Sequence, residues 1–167
     1  MQIMKDGVPI HADMFGYPEA YYVPPLESVD HIEFIRGGAG LMYGPQPGGA
    51  LNYVTHMPVT DRVLVTHADN AFGSDGYFST YESASGTVGP MGYHTYIHER
   101  QGDGFRDGNS DFQVISGGAK ITVNQTSDTR LIMTYDEYHE EHGEPGGLTR
   151  SGAVMPNYDT RREFTTR

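Results

Sequence analysis

No cysteine occurs in the 167 residues, so disulfides and thiolate metal sites are excluded outright. No run approaches the ~18 apolar residues of a membrane-spanning helix. Positive charge is scarce: 11 Lys and Arg stand against 22 Asp and Glu, for a formal charge of −11. A field of that sign argues against nucleic-acid binding, which needs cations facing phosphates, and against attraction to an anionic membrane surface. No long stretch is rich in Ala, Leu, Glu and Lys, which argues against a helical bundle. At 37% apolar residues and a mean hydropathy of −0.52, the chain is also poor in material for a compact globular core. The start, Met1 to Gly7, lacks a charged segment followed by an apolar one, so it does not read as a secretory signal. The chain is expected to begin mid-domain, with its targeting information missing.

What is present favours strands and turns. Gly (22) and Pro (10) are plentiful and Tyr (12) outnumbers Phe (7), a mix suited to short strands and amphipathic aromatics. Residues 1–58 read as one unit. It holds a short strand at 7–10 after a Lys-Asp-Gly turn signal, a Tyr- and Pro-rich loop over 11–28, a strand over 29–36, glycine clusters at 37–40 and 44–49, and a strand over about 50–55. Residues 59–167 change character. Strand-like runs cover roughly 62–70, 77–88, 93–101, 112–124 and 129–140, separated by turn chemistry, which predicts an antiparallel meander. These runs are near the ~9–11 residues of strands that cross a bilayer, not the ~5–6 of globular strands. Alternation is clearest where Ile115, Gly117, Ala119, Ile121 and Val123 share one face against Ser116, Lys120 and Thr122 on the other. Glu82, Arg100, Lys120 and Asp136 are expected to face a wet lumen or lie near an interface. Residues 141–167 lose the strand pattern. Such a sheet has two bare edges, which a membrane interior does not tolerate, so further strands or other chains must close it.

The stretch Val29-Asp30-His31-Ile32-Glu33-Phe34-Ile35-Arg36-Gly37-Gly38-Ala39-Gly40-Leu41-Met42-Tyr43-Gly44 resembles the plug signature of TonB-dependent outer-membrane receptors. Its continuation, Gly48-Gly49-Ala50-Leu51-Asn52-Tyr53-Val54-Thr55, is similar to that family's closing plug strand. Within the family, Asp6-Gly7-Val8-Pro9, Tyr43-Gly44-Pro45-Gln46, Gly102-Asp103-Gly104-Phe105-Arg106 and Pro145-Gly146-Gly147-Leu148-Thr149-Arg150 look like the ferric dicitrate receptor group.

The resemblance implies a mainly β fold: residues 1–58 as the C-terminal part of a plug built on a small mixed sheet, and 59–167 as about five antiparallel transmembrane strands forming an open, incomplete barrel wall. Family members are barrels of about 22 strands with a plugged lumen. They take up ferric chelates or vitamin B12 across the outer membrane of Gram-negative bacteria. A TonB-type energy-transducing complex engages a plug segment expected to be absent from this chain, so the fragment alone should transport nothing. The implied partners are a ferric chelate as transported ligand, that complex, and outer-membrane lipid; no resident cofactor and no nucleic acid is implied.

Candidate site residues follow, each with a plainer alternative. Gln46, at the tip of a Gly-Pro-Gln-Pro loop, is placed by the resemblance at the apex, where a neutral amide can donate to a citrate carboxylate; the alternative is an exposed turn. Phe15 and Tyr17, with Met14, Tyr21 and Tyr22, line a ligand vestibule or pack the plug loop against the barrel. Arg100, Arg106 and Arg150 suit carboxylate recognition, because a guanidinium meets a carboxylate bidentately, or are ordinary loop arginines. Glu33 and Arg36 form a charged latch between plug and barrel, or a fixed interior pair. The glycines at 37, 38, 40, 44, 48 and 49 serve tight turns and close backbone approach, since no Gly-Lys-Ser/Thr or helix follows to make a phosphate cradle. His139-Glu140-Glu141-His142 places its second His one residue too early for a His-Glu-x-x-His zinc site and reads as a solvated strand end. Asp103, Asp107 and Asp111 lack the EF-hand spacing. No nucleophile–base pair or other enzyme motif is present. The rival reading is a secreted or surface β-sheet module that binds glycans or calcium through acidic loops.

Overall fold

The computed structural model describes residues 2–10, 22–43, 48–106, 108–124, 128–144 and 164–166. Phe15, Tyr17, Gln46, Asp107 and Arg150 therefore lie outside the described residues, with the rest of the 11–21 loop and the 145–163 segment. The chain divides into two compact units, Met1–Met57 and Pro58–Arg167. Among the described residues no helix is long and apolar enough to cross a membrane.

Unit 1 is a four-stranded mixed sheet. Its strands are β1 (Gln2–Lys5), β2 (Val8–Pro9), β3 (Val29–Ile35) and β4 (Ala50–Thr55), in the order β2-β1-β4-β3. β1 lies parallel to β4, while β3 pairs β4 and β2 pairs β1 antiparallel. The sequence reading placed a single strand at 7–10 and missed β1. Gln2-Ile3-Met4-Lys5 does not alternate, and its partner, β4, lies more than forty positions on. Asp6 and Gly7 instead form the turn of a hairpin, both with positive φ (48° and 80°), as its right-handed twist demands.

Side chains on β4 hold that turn. The Thr55 backbone N–H and hydroxyl donate to the two Asp6 carboxylate oxygens at 2.9 and 2.7 Å. The Gly7 N–H donates to Asn52 Oδ1 at 2.9 Å, and Asn52 Nδ2 donates to Glu33 Oε2 at 2.8 Å. Asn52 thus ties the turn, β4 and β3 together, which is how a polar side chain can lie buried at the sheet centre beside Met4 and Ala50. After β3 the chain enters a short 3₁₀ segment, Gly37–Tyr43, and re-enters the sheet at Gly49. Gly49 has φ +81°, and a Cβ there would fall 2.3 Å from the Ile35 carbonyl oxygen; one on Gly40 would fall 2.9 Å from Gly49 Cα. Two backbones touch here, so both positions require glycine.

Unit 2 is an up-and-down meander of β5 (Val65–Phe72), β6 (Phe78–Val88), β7 (Met91–Gly102), β8 (Phe112–Asn124), β9 (Arg130–Glu144) and β10 (Phe164–Thr166). Every neighbour pair is antiparallel. Two expectations are corrected. Six strands are described where about five were expected, and strand structure continues past residue 140: β9 runs on to Glu144, and the described residues 164–166 pair with it as β10. Polar residues such as Glu140 and Glu141 stay in the ladder because β8 lies opposite them. The described strands form no closed barrel; β5 and β10 are its edges. At the start of β5 the ladder is irregular: Thr87 N–H donates to Arg62 O at 2.8 Å, and the Val63 carbonyl lies against Gly86. The Tyr93 side chain, opposite Gly86 in register, reaches across it to donate to Val63 O at 2.8 Å.

Candidate functional site

Register places the side chains of unit 2 in cross-strand rows. One row runs Asp69–Tyr81–His98–Ser116–Tyr138, the next His67–Ser83–Tyr96–Gly118–Asp136, and the next Val65–Ser85–His94–Lys120–Thr134. The opposite face carries Val88–Met91–Val123–Leu131, then Gly86–Tyr93–Ile121–Met133, then Ala84–Thr95–Ala119–Tyr135, then Glu82–Ile97–Gly117–Glu137. Through β6, β7 and β8 the polar face is the less exposed one. His98 is 5% and Lys120 6% exposed, against 59% for Ile97 and 64% for Tyr135 on the apolar side. A water-facing sheet buries its isoleucines and exposes its lysines; here the order is reversed. That inversion is the pattern of a barrel wall with lipid outside and a polar lumen inside.

The polar face is internally bonded. Tyr81 and Tyr96 stack with ring centres 5.6 Å apart, and the Tyr96 hydroxyl reaches Asp136 Oδ1 at 3.3 Å. Gly118 makes the room for this crossing, since a Cβ there would lie 2.5 Å from Tyr96 Cε1 and 2.7 Å from Asp136 Oδ1. His98 Nδ1 lies 3.3 Å from Ser116 Oγ, and Tyr138 donates to Glu140 Oε2 at 2.6 Å. The face offers hydroxyls, imidazoles and carboxylates to a polar interior.

The connections give the wall a direction. β6 and β7 join through Gly89-Pro90 alone, whereas β7 and β8 are joined by residues 103–111. The wholly apolar rows lie at the short-turn end. With the adjoining Thr95 row, the uncharged stretch from Met91 to Thr95 covers roughly 13 Å of strand, about half the ~25 Å apolar band of transmembrane barrels. Carboxylates take over towards the long connections: Glu82 and Glu137, then Glu99, then Glu141.

In unit 1 a string of polar side chains runs along β3. A bulge between Val29 and His31 leaves Asp30 outside the ladder. His31 Nδ1 lies 2.8 Å from Asp30 Oδ2 and His56 Nδ1 3.6 Å from Asp30 Oδ1. His31 Nε2 lies 3.8 Å from Glu33 Oε1. The hydrogen bond to Asp30 raises the His31 pKa above its ordinary value, and the same bond lowers that of Asp30. The favourable pairing holds between Asp30's lowered pKa and His31's raised one, and is lost as pH rises through the latter. An NMR titration of the His31 ring should show a midpoint above the ~6.5 of a free histidine, falling back towards it in Asp30→Asn. An unchanged midpoint in that variant would remove Asp30 as the cause.

No family model matches the sequence. Over 120 residues, 71% of this chain, it is 30% identical to the vitamin B12 transporter BtuB of Photobacterium profundum, of which it covers 19%. Over 121 residues it is 30% identical to the metal-pseudopaline receptor CntO of Pseudomonas aeruginosa, of which it covers 16%. Among solved structures, the ferric citrate transporter FecA in its unliganded form superposes with a TM-score of 0.72 at 23% identity, over 99% of this chain and 25% of that one. The pyoverdine receptor FpvA of Pseudomonas aeruginosa PAO1, bound to pyoverdine, gives 0.72 at 19% identity, over 84% of this chain and 20% of that one. The proteins this chain resembles in sequence and in fold are TonB-dependent outer-membrane receptors. The chain spans about a fifth of the length of these curated relatives.

The structure places four of the candidate residues. Arg100 is on the polar face of β7, exposed, its guanidinium carbon 5.7 Å from the centre of the Phe112 ring. Arg106 lies in the 103–111 connection, where its N–H donates to Ser110 Oγ at 3.2 Å; that hydroxyl sits 3.0 Å from the carbonyls of both Asp103 and Arg106. Both arginines are thus at the long-connection end. Glu33 is held by Asn52 and neighbours His31, while Arg36 stacks on the Phe34 ring at 4.9 Å, so each has its own local partner. His139 and His142 fall on opposite faces of β9, beside Glu141 (3.6 Å) and Glu140 (3.3 Å), and among the described residues no cluster suited to a metal ion forms. Sequence reasoning missed the Asp30–His31–His56 group and the Tyr81–Tyr96 stack. A period of two signals the stack's residues; the bulge that gathers the first group leaves no sequence signal.

Proposed function

We propose that unit 1 is the later part of the plug and unit 2 the first strands of the barrel wall of an outer-membrane receptor that takes up a ferric chelate, iron(III) dicitrate above others. The observation that carries the membrane role is the inverted burial of β6–β8: lysine and histidine inside, isoleucine outside. The same inversion disfavours a secreted glycan- or calcium-binding module, which would leave Ile97 and Tyr135 in water without purpose. Support for citrate is the resemblance of Asp6-Gly7-Val8-Pro9 and Tyr43-Gly44-Pro45-Gln46 to the ferric dicitrate group, together with arginines at the outer end.

In this reading Gln46, Phe15 and Tyr17 form the apical surface that meets the chelate. Arg100, Arg106 and Arg150 supply guanidinium groups for its carboxylates. Glu33 and Arg36 sit where plug and wall are latched. A TonB-type complex acts on the plug, and outer-membrane lipid of a Gram-negative cell surrounds the wall. The test is calorimetric titration of ferric dicitrate into a full-length receptor carrying this sequence, with and without Gln46→Ala. Saturable binding at micromolar or tighter Kd, weakened about tenfold by the substitution, is expected for loss of one hydrogen bond to a charged group. Absence of ferric citrate binding would move the ligand to another chelate and remove Gln46 from the site.

A further inference from the structure

Residues 58–64, the first of unit 2, form neither helix nor strand, yet side chains of β6 and β7 fix them in place. On the polar face, Ser85 Oγ accepts from the Val59 N–H at 3.0 Å and donates to the Tyr93 carbonyl at 3.2 Å. The Thr87 hydroxyl donates to the Val59 carbonyl at 2.7 Å, so both backbone polar groups of Val59 are held by β6. Pro58 is buried against Gly92, where a Cβ would fall 2.9 Å from Pro58 Cβ. The chain then passes the edge of β6. There the Thr87 N–H donates to the Arg62 carbonyl at 2.8 Å. Tyr93, from the apolar face, donates to the Val63 carbonyl at 2.8 Å across Gly86. Side chains from both faces of the sheet therefore hold this one stretch. On the other side of the joint, within unit 1, the His56 N–H donates to the Ser28 carbonyl at 3.0 Å. Between the two sets of bonds lies Met57, which makes no backbone hydrogen bond among the described residues. The proline that follows disfavours a helical conformation and keeps it extended.

We infer that residues 58–64 are a strap that fixes the exit of the plug to the wall, with Ser85, Thr87 and Tyr93 as its positioning residues and Met57 as the pivot. The inference rests on the reading of unit 1 as plug and unit 2 as wall. A slack connection over 56–64 would give the plug roughly 30 Å of reach. Bonded as it is, the chain leaves Met57 alone to turn. Rearrangement of unit 1 during uptake must then swing about that residue or loosen unit 1 itself; it does not draw out the start of the wall. The strap lies beside the Gly89-Pro90 turn, at the end of unit 2 opposite the 103–111 connection that carries Arg106. The fixed point and the candidate arginines are thus at opposite ends of the wall.

The test is hydrogen exchange of a full-length receptor carrying this sequence, folded into phospholipid vesicles, at stepwise urea concentrations, read at single residues by electron-transfer fragmentation. The His56 amide should lose protection together with those of β4, while the Val59 and Thr87 amides keep theirs with β6 and β7. Rates should then differ by about tenfold or more across Pro58, the size expected when one or two hydrogen bonds separate an open segment from a closed one. Ser85→Ala combined with Thr87→Val should move that boundary to Val65, so that Val59 exchanges with unit 1 while β7 and β8 stay protected. Tyr93→Phe, which removes one hydroxyl, should speed the Thr87 amide a few-fold, and it remains informative if the double variant fails to fold. Val59 losing protection with His56 in the parent, or keeping it in the double variant, overturns the inference; so does an unchanged Thr87 rate in Tyr93→Phe. Retained protection in β6–β8 in such a case leaves the wall standing and sinks the strap alone. Loss of β6–β8 protection at the same urea concentration as β4 sinks the membrane reading and the strap with it.

Discussion

Gly49→Ala should destabilise unit 1 by about 3 kcal/mol or more, the largest effect expected of any single methyl group added there. Two costs combine. The residue holds φ +81°, where an L side chain is strained, and its Cβ would sit 2.3 Å from the Ile35 carbonyl oxygen, which is backbone and cannot rotate away. Relief requires β3 and the start of β4 to separate, which breaks the Ile35–Ala50 pairing and exposes Ala50. Hydrogen exchange of the β4 amides, followed with denaturant titration, reads the effect directly. Gly38→Ala is the control: a Cβ there meets nothing within 4 Å, so its cost should stay within ~0.5 kcal/mol. Equal protection in the two variants would mean that the Gly40–Gly49 contact does not set the register of the sheet.

Ile121→Arg carries the second large effect, and it divides the two readings of unit 2. If the apolar face meets lipid, a guanidinium there costs about 2–4 kcal/mol, because Ile121 lies within the wholly apolar rows, beside Tyr93 and Met133. Glu99→Arg, above those rows, should cost ~0–1 kcal/mol. For a water-facing module both changes would fall within ~0.5 kcal/mol of the parent, like other surface substitutions. Urea titration of a full-length receptor carrying this sequence, folded into phospholipid vesicles, with tyrosine fluorescence as signal, distinguishes the outcomes. A depth-independent pair of values would return the acidic-loop module to favour.

The strands that the sequence revealed are those whose signals are local. β3, β4, β6 and β8 combine β-branched or aromatic residues with glycine, proline or asparagine at their ends, and their observed limits fall within a residue or so of expectation. β1 and β10 are held by partners distant in sequence, and nothing in Gln2-Ile3-Met4-Lys5 or Phe164-Thr165-Thr166 announces them. The same division runs through the site. Ile115 through Val123 displayed the two faces of the wall, because period two is written in the sequence itself. Which face is sheltered was not written there: the buried lysine and exposed isoleucine emerge only from the sheet. Glu33 is visible as a charge in the sequence, whereas its bond to Asn52 depends on the pairing of β3 with β4. The Asp30–His31 bond depends on a one-residue bulge that composition does not encode.

The parallel pairing of β1 with β4 also fixes how unit 1 answers a tensile load. A force drawn on the backbone at Gln2 and resisted beyond Thr55 acts at opposite ends of two strands that run the same way. The ladder is then loaded in shear, its hydrogen bonds sharing the stress and yielding together. A hairpin pulled from its open end would unzip one bond at a time at much lower force. The Asp6–Thr55 and Gly7–Asn52 bonds lie at the far end of the same ladder and would act as its rivets. Unit 1 is therefore mechanically a clamp along the strand axis, and peeling at right angles to that axis is its weak direction.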